Sequence, residues 1–217
     1  MQKARLLSVQ VGKPQIYTDD GKEWISAIVK KAVEGPVFLG KLNLEGDGQA
    51  DRKHHGGPDK AVLAYAASHY ERWRRHPDLP GIGPGGFGEN FTVSEQDEDK
   101  VCIGDIYQVG EAWIQVSQPR LPCWKLDRRW GVKGLAGRVR DDGYSGWYLR
   151  VLEEGRVAAG QAVQLVERPD PRWTVRKVND ILHKRDRDPG MIRELVAFPP
   201  LAESLRRILA ARLERTS

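Results

Sequence analysis

The chain changes character at Glu167-Arg168-Pro169-Asp170-Pro171. Upstream of this stiff, polar break the apolar residues recur at strand-like intervals, and downstream they recur at helical ones. A period of two suits a sheet and a period of 3.6 a helix, so the two parts are predicted to be built differently. In RLLSVQV, residues 5–11, Leu7, Val9 and Val11 alternate with Ser8 and Gln10, as in a half-buried strand. Further strands are predicted at Trp24–Val29, Val37–Leu39, Asp105–Val109, Ala112–Val116, Tyr144–Leu152 and Gln161–Val166, with EEGRVAAG joining the last two like a hairpin. Beyond the break Thr174 caps VRKVNDILHK, Met191–Phe198 forms a second helix, and Pro200 opens a third. In that third helix Leu201, Leu205, Ile208, Leu209 and Leu213 share one face. The expected fold is mainly β (α+β), with a strand-built body over residues 1–166 and a small all-α, three-helix segment over 172–217. So short a helical segment cannot hide its apolar faces alone, and it is expected to pack on the body.

The body is interrupted by stretches that cannot form a core. Residues 43–60, NLEGDGQADRKHHGGPDK, hold four glycines, one proline and nine charged or histidine side chains, which predicts a long polar loop. After the apolar Ala61–Ala66, SHYERWRRH reads as a helix with Ser68 as N-cap. HPDLPGIGPGGFGENF is dense in glycine and proline and is predicted to be irregular, and 92–100 reads as a polar connection. Trp124–Trp130 reads as a short helix ended by Gly131, and 132–142 as a weaker one.

Composition excludes several function classes. With 217 residues, 40% hydrophobic and 30% charged, the chain is an ordinary soluble protein without an apolar run long enough to span a membrane. The N-terminus lacks the apolar core of a signal peptide, so the cytoplasm is the expected location. Two cysteines without a CxxC make neither a disulfide framework nor a zinc ribbon, and they are too few for an iron–sulfur cluster. A net charge of +5 suits an anionic small molecule, and no nucleic-acid partner is expected because the basic residues are scattered.

Chemistry is concentrated at Gln118-Pro119-Arg120-Leu121-Pro122-Cys123-Trp124-Lys125. Two prolines stiffen the backbone, and a thiol at a helix start between Arg120 and Lys125 is expected to be more acidic than the ordinary value of about 8.5. As thiolate it attacks carbon or ligates a soft metal. Cys102, beside apolar residues in VCIGD, reads as core. In the loop 46–60, glycines with Arg52, Lys53 and Lys60 can hold a phosphate, without being a Walker loop. His54 and His55 can ligate a metal, but adjacent histidines on a loop without a second His or Cys at ligand spacing are a weak signal, and His55 oriented by Asp51 or Asp59 can also serve Cys123 as the base of a cysteine hydrolase. Asn90, in FGENF, can present an amide to a ligand.

The ordered run GDGQADRKHHGGPDKAV, FGENF, IGD, QPRLPC, and SGWYLRVLEEG with AGQAV resembles the MOSC domain in its stand-alone bacterial YiiM-type form. The likeness covers residues 1–166, and the tail resembles the three-helix appendage of that branch. It implies a β-barrel-like fold that binds the molybdenum cofactor (molybdopterin), with Cys123 as the protein ligand to molybdenum. His55, Asp59, Lys60, Ser68, Asn90 and Arg120 fall on motif positions and are implied to hold the pterin phosphate or line the substrate side, with Asn90 or His55 assisting catalysis beside Cys123. Gln161 stands where relatives often carry Asp, a change expected to affect a turn. The implied activity is an oxidoreductase that removes oxygen from N-hydroxylated compounds such as purine bases, a detoxification, with electrons from a separate flavoprotein or iron–sulfur donor. The alternative is a non-catalytic carrier of the cofactor or of persulfide sulfur. The tail is open to use as a homodimer surface, a donor docking site or a lid.

Overall fold

The computed structural model describes residues 3–19, 21–183 and 187–215, with the side chains of Arg52 and Lys53 left outside the description. Asp20 of the predicted first turn and Lys184 at the end of the predicted VRKVNDILHK helix also fall outside it.

The N-terminal half builds β1 (Leu6–Val11), β2 (Gln15–Asp19), β3 (Lys22–Ser26), β4 (Lys31–Ala32) and β5 (Val37–Leu39). The polar loop that follows contains α1 (Arg52–His55) and a 3-10 turn at Pro58–Lys60. Next come β6 (Val62–Ala66), α2 (His69–Arg74), β7 (Phe91–Val93), β8 (Ile106–Val109) and β9 (Ala112–Pro119). The body ends with α3 (Lys125–Trp130), α4 (Leu135–Asp142), β10 (Trp147–Glu153), β11 (Gly155–Val157) and β12 (Val163–Glu167). The tail is α5 (Val175–Leu182), α6 (Pro189–Ala197) and α7 (Glu203–Glu214). The protein is thus mainly β with a small helical C-terminal segment.

Eight strands form one sheet in the order β12-β8-β9-β10-β6-β7-β1-β4. All its pairings are antiparallel except β6 with β7, and a parallel pair needs a long crossover, supplied here by α2 and the glycine-rich loop. The sheet curls until the chain before β1 meets the chain before β12. There Arg5 bridges Ala162, the Leu6 amide donates to Gln161 (2.9 Å) and the Val163 amide to Ala4 (2.9 Å). This seam is a bridge and not a ladder, which makes the sheet barrel-like without full closure.

Four local expectations change. In β1 Leu6 is buried and Leu7 is 48% exposed, because an irregularity between Leu6 and Ser8 shifts the pairing with β7 and turns Leu7 outward. β10 and β12 do not form a hairpin: β10 lies between β9 and β6, β12 pairs with β8, and β11 in the connecting segment pairs with β5. The predicted polar connection 92–100 begins inside a buried strand, β7, and contains the buried Glu98. Finally, α7 starts at Glu203, after Pro200, and its buried stripe is Leu205 and Leu209, with Ile208 47% exposed.

The break at 167–171 is not a loose hinge. Arg168 grips the fully buried Asp105 carboxylate through Nε (2.7 Å) and Nη2 (2.6 Å), while the Cys102 amide and the Tyr107 hydroxyl donate to the same group at 2.9 Å. The Ile103 amide donates to Trp173, and the Val175 amide to Val101, both at 2.8 Å. Cys102 is buried as expected, and burial pushes its thiol up to about 11. Val175, Val178, Ile181, Leu195, Leu205 and Leu209 join the same apolar core as the barrel strands. Each such side chain contributes roughly 2 kcal/mol, which fixes the tail to the body. A second, aromatic-rich core of Trp24, Tyr65, Tyr70, Trp73, Phe87 and Leu126 lies under α2, α3 and the glycine-rich loop.

Candidate functional site

A cleft of about 620 Å³, open at one side, is lined by Lys30, Asp47, His55, Lys60, Phe87, Asn90, Arg120, Cys123, Lys125 and Tyr148 among others. It gathers residues from five separate stretches of the chain. Strands present or deliver some of them, and loops and helix ends carry the rest. β9 runs on to Pro119 and delivers Arg120 and the cysteine loop, and β10 alongside it presents Tyr148. The Cys123 carbonyl accepts the Leu126 amide (3.1 Å) in the first turn of α3, so the cysteine is fixed at the helix entrance. As predicted, α3 ends at a left-handed Gly131.

The glycine-rich loop is shaped by a buried acid. Glu89 accepts from the amides of Gly85 (2.5 Å) and Phe87 (2.9 Å) and from the Tyr70 hydroxyl. α3 staples the loop from the other side, Arg129 donating to the Gly85 carbonyl (2.6 Å) and Trp130 to that of Gly86 (2.8 Å). Gly88 takes φ +79° with Ile28 so close that a Cβ would meet its Cγ1 at 2.8 Å. Only glycine fits there.

The polar loop is ordered by Asp47, whose side chain is 1% exposed. It pairs with Lys30 and accepts from the Gly12 amide (2.8 Å) and from Asn90 Nδ2 (2.8 Å). Asn90 also donates to the Gln10 carbonyl (3.1 Å) and accepts from the Leu63 amide (3.1 Å), so its amide is engaged by the protein. Burial pulls Lys30 below the ordinary lysine range, with Asp47 opposing.

Arg120 is the unusual group. It is 4% exposed, its guanidinium makes no hydrogen bond or ion pair among the described residues, and its buried Nη1 has no partner. Buried cations are ordinarily paired. Close to it are Lys60, which donates to the His54 carbonyl (2.9 Å) and lies over the Tyr148 ring, and Lys125. Burial, then Lys125, Arg120 and Lys60, push the His55 imidazole down to about 4. His55 is therefore neutral at pH 7. Between pH 6.5 and 4 the unfolded chain binds the proton that the native site refuses, so stability is lost as pH falls through that window, by up to about 3 kcal/mol. Urea unfolding of ligand-free protein at pH 7 and 4.5 is expected to show this loss in wild type and a shallower one in His55→Gln.

Not every candidate reaches the cleft. Ser68 stands exposed before α2, with helical backbone angles and no side-chain cap bond, and does not line the cleft. Asp59 faces the tail: its carboxylate pairs with Arg150 (2.7 Å) and accepts from the Glu203 amide (3.1 Å). Asp51 binds the ring of His54 (2.8 Å). No Cys–His–Asp relay is assembled among the described residues. The side chains of Arg52 and Lys53 lie outside the description. Lys30 and Tyr148 are cleft residues without a signal in the sequence; Lys30 carries no motif, and Tyr148 sits in a strand that reads as core. Gln161 serves a turn as expected, accepting from the Ala158 amide (2.8 Å).

Residues 51–164 match the MOSC domain, and 173–216 match the YiiM-like, 3-alpha helix domain. The chain belongs to the MOSC-domain family. YiiM of Escherichia coli (strain K12) is 37% identical over 209 residues, 95% of this chain and 91% of that protein. An uncharacterized Bacillus subtilis (strain 168) protein, YflK, is 43% identical over 201 residues, covering 93% of this chain and 90% of YflK. A protein of Gibberella moniliformis named Reductase is 36% identical over 184 residues, 82% of this MOSC chain but 32% of its own length. The crystal structure of YiiM from Geobacillus stearothermophilus superposes with TM-score 0.81 at 35% identity, over 97% of this chain and 99% of that one. No helix among the described residues is long and apolar enough to cross a membrane.

Proposed function

We propose that this MOSC protein is a molybdenum-cofactor-dependent reductase that removes oxygen from N-hydroxylated compounds, with Cys123 as the protein ligand to molybdenum. The observation that carries the reading is the partnerless, buried guanidinium of Arg120 in the same cleft as Cys123. An unpaired buried cation is stabilised by an anionic ligand, and the pterin phosphate is one. Lys60 and Lys125 would complete its charge, and glycine-rich segments let backbone come close. No three His, Cys, Asp or Glu converge as a metal site among the described residues, so a metal here brings most of its ligands with it, as the pterin dithiolene does.

When bound, the cofactor supplies two-electron oxygen-atom chemistry between the +4 and +6 states of molybdenum. The residues hold and shield it. Cys123 adds a soft thiolate. Tyr148 and Phe87 wall the cleft, and Asn90 positions Asp47, which keeps Lys30 neutralised beside the site. Neutral His55 can orient the substrate through a ring N–H. An anion bound at Arg120 offsets one of the cations that depress His55, which makes the imidazole more basic and lets it carry a proton to the leaving oxygen. Overall, an N-hydroxylated amine, two electrons and two protons give the amine and water. The electrons come from a separate flavoprotein or iron–sulfur donor. The name of the Gibberella relative supports a reductase.

Protein made in a cofactor-competent host is expected to hold near-stoichiometric molybdenum, lost in Cys123→Ala, and to reduce an N-hydroxylated purine with a reduced viologen dye. Absence of molybdenum from the wild type refutes the reading. Molybdenum without turnover would leave a cofactor carrier instead.

A further inference from the structure

A second groove, of about 1110 Å³ including its open side, adjoins the cleft and shares Asp51, His55, Lys60, Cys123 and Tyr148 with it. Its walls differ in chemistry from those of the cleft. One wall is Leu121, Pro122 and Trp124 of the cysteine loop, and the other is Leu205 and Ile208 of α7, with Gln118 and Ser204 between them. Leu121, Trp124 and Ile208 are 37, 51 and 47% exposed, so three of the large apolar side chains left in solvent face this one groove. A solvent-facing apolar lining of this kind marks a binding surface.

We infer that α7 of the tail forms the substrate wall of the site, with Ile208 as a specificity-determining residue for an uncharged, planar ring compound. This rests on the reductase reading for the identity of the reaction, though not for the existence of the groove. The cleft holds the partnerless Arg120 and calls for an anion, whereas the groove lacks Arg120 and adds hydrocarbon and an indole to the Asp51, His55 and Lys60 that it shares with the cleft. The Trp124 ring is held by the edge of Trp24 (centroids 5.8 Å) and by Arg128 (5.1 Å), which fixes it as a platform. A flat heterocycle can lie between this platform and Ile208, its polar edge toward Gln118 and Ser204 and its reacting end toward Cys123.

The opposite wall is equally fixed. The first turn of α7 is tied to the segments that carry the site: Glu203 N–H to the Asp59 carboxylate (3.1 Å), Ala202 N–H to the Ser117 carbonyl (2.9 Å), and the Ser204 hydroxyl to Gln118 Oε1 (3.0 Å). Asp59 precedes Lys60, and Ser117 and Gln118 lead to Arg120 and Cys123. The groove width is therefore set by hydrogen bonds and not by a swinging lid.

The test is titration of adenine, as a non-reacting planar probe, into the full chain by calorimetry, for wild type, Ile208→Trp and Leu121→Asp. Both substitutions are at exposed positions, and thermal melting checks the fold. The wild type is expected to bind, and each variant to bind at least tenfold more weakly. In loaded protein, Ile208→Trp is expected to raise KM for an N-hydroxylated purine tenfold or more with kcat within threefold. Absence of adenine binding by wild type at millimolar concentration, or unchanged binding by both folded variants, overturns the groove whatever the metal analysis gives. Binding that depends on Ile208, in a protein that takes up no molybdenum in a cofactor-competent host, would keep the groove and refute the reductase.

Discussion

Replacing Arg120 by methionine is expected to leave the ligand-free protein as stable as wild type or more so, while weakening retention of the anionic ligand about a hundredfold. The two effects have one cause. In the ligand-free protein the guanidinium is buried without a partner, and exchanging such a charge for an apolar side chain of similar length is neutral or stabilising by about 1–4 kcal/mol. In the bound state the same group makes charge-assisted hydrogen bonds worth about 1.5–3 kcal/mol each, and one or two of them account for a factor near one hundred. The substitution also removes one of the cations that depress His55, so the imidazole is expected to titrate above 4 and closer to its ordinary range. Urea midpoints of ligand-free protein, molybdenum content after dialysis, and the His55 proton resonances followed with pH check the three outcomes. A variant less stable by more than about 1 kcal/mol with unaltered retention would show that Arg120 is a structural residue.

Arg168→Ala is expected to cost about 1.5–3 kcal/mol, the usual worth of charge-assisted hydrogen bonds to a buried carboxylate, since Arg168 itself is partly exposed to solvent. Asp105 is fully buried, and the Cys102 amide and Tyr107 hydroxyl that remain cannot neutralise its charge. Arg168→Lys is expected to recover only part of the loss, since an ammonium cannot span both carboxylate oxygens as the guanidinium fork does. Denaturant midpoints measure the loss. Amide exchange locates it: the Ile103 and Val175 amides, bonded across the junction between body and tail, are expected to lose protection first.

Much of this architecture can be read from the residues, for identifiable reasons. The strand-to-helix change at Glu167 is a change of period, and period follows from which face must be buried. Cys123, Arg120, His55, Lys60 and Asn90 all stand out by local features and motif positions, and all line one cleft. What escaped depends on partners far away in the chain. Asp47 resembles its charged neighbours until Lys30, Gly12 and Asn90 surround it. Asp59 has the setting of a ligand residue, yet Arg150 and the α7 entrance claim it. The irregularity that turns Leu7 outward leaves the alternation of residues 5–11 unmarked, because a phase shift in pairing is set by the neighbouring strand. Ile208 fits the helical stripe by count alone, but the stripe is narrower than the helix face and the groove lies at its edge.

The seam between Arg5 and Ala162 bears on the order of events during synthesis. The N-terminal end of β1 is made long before the segment that leads into β12 and waits for that segment to cover it, a contact of long sequence separation and so a slow one. The groove wall on α7 is made later still. A nascent chain can therefore present Cys123 and its cations before the surface facing them exists, so the site is open on that side until the tail is made.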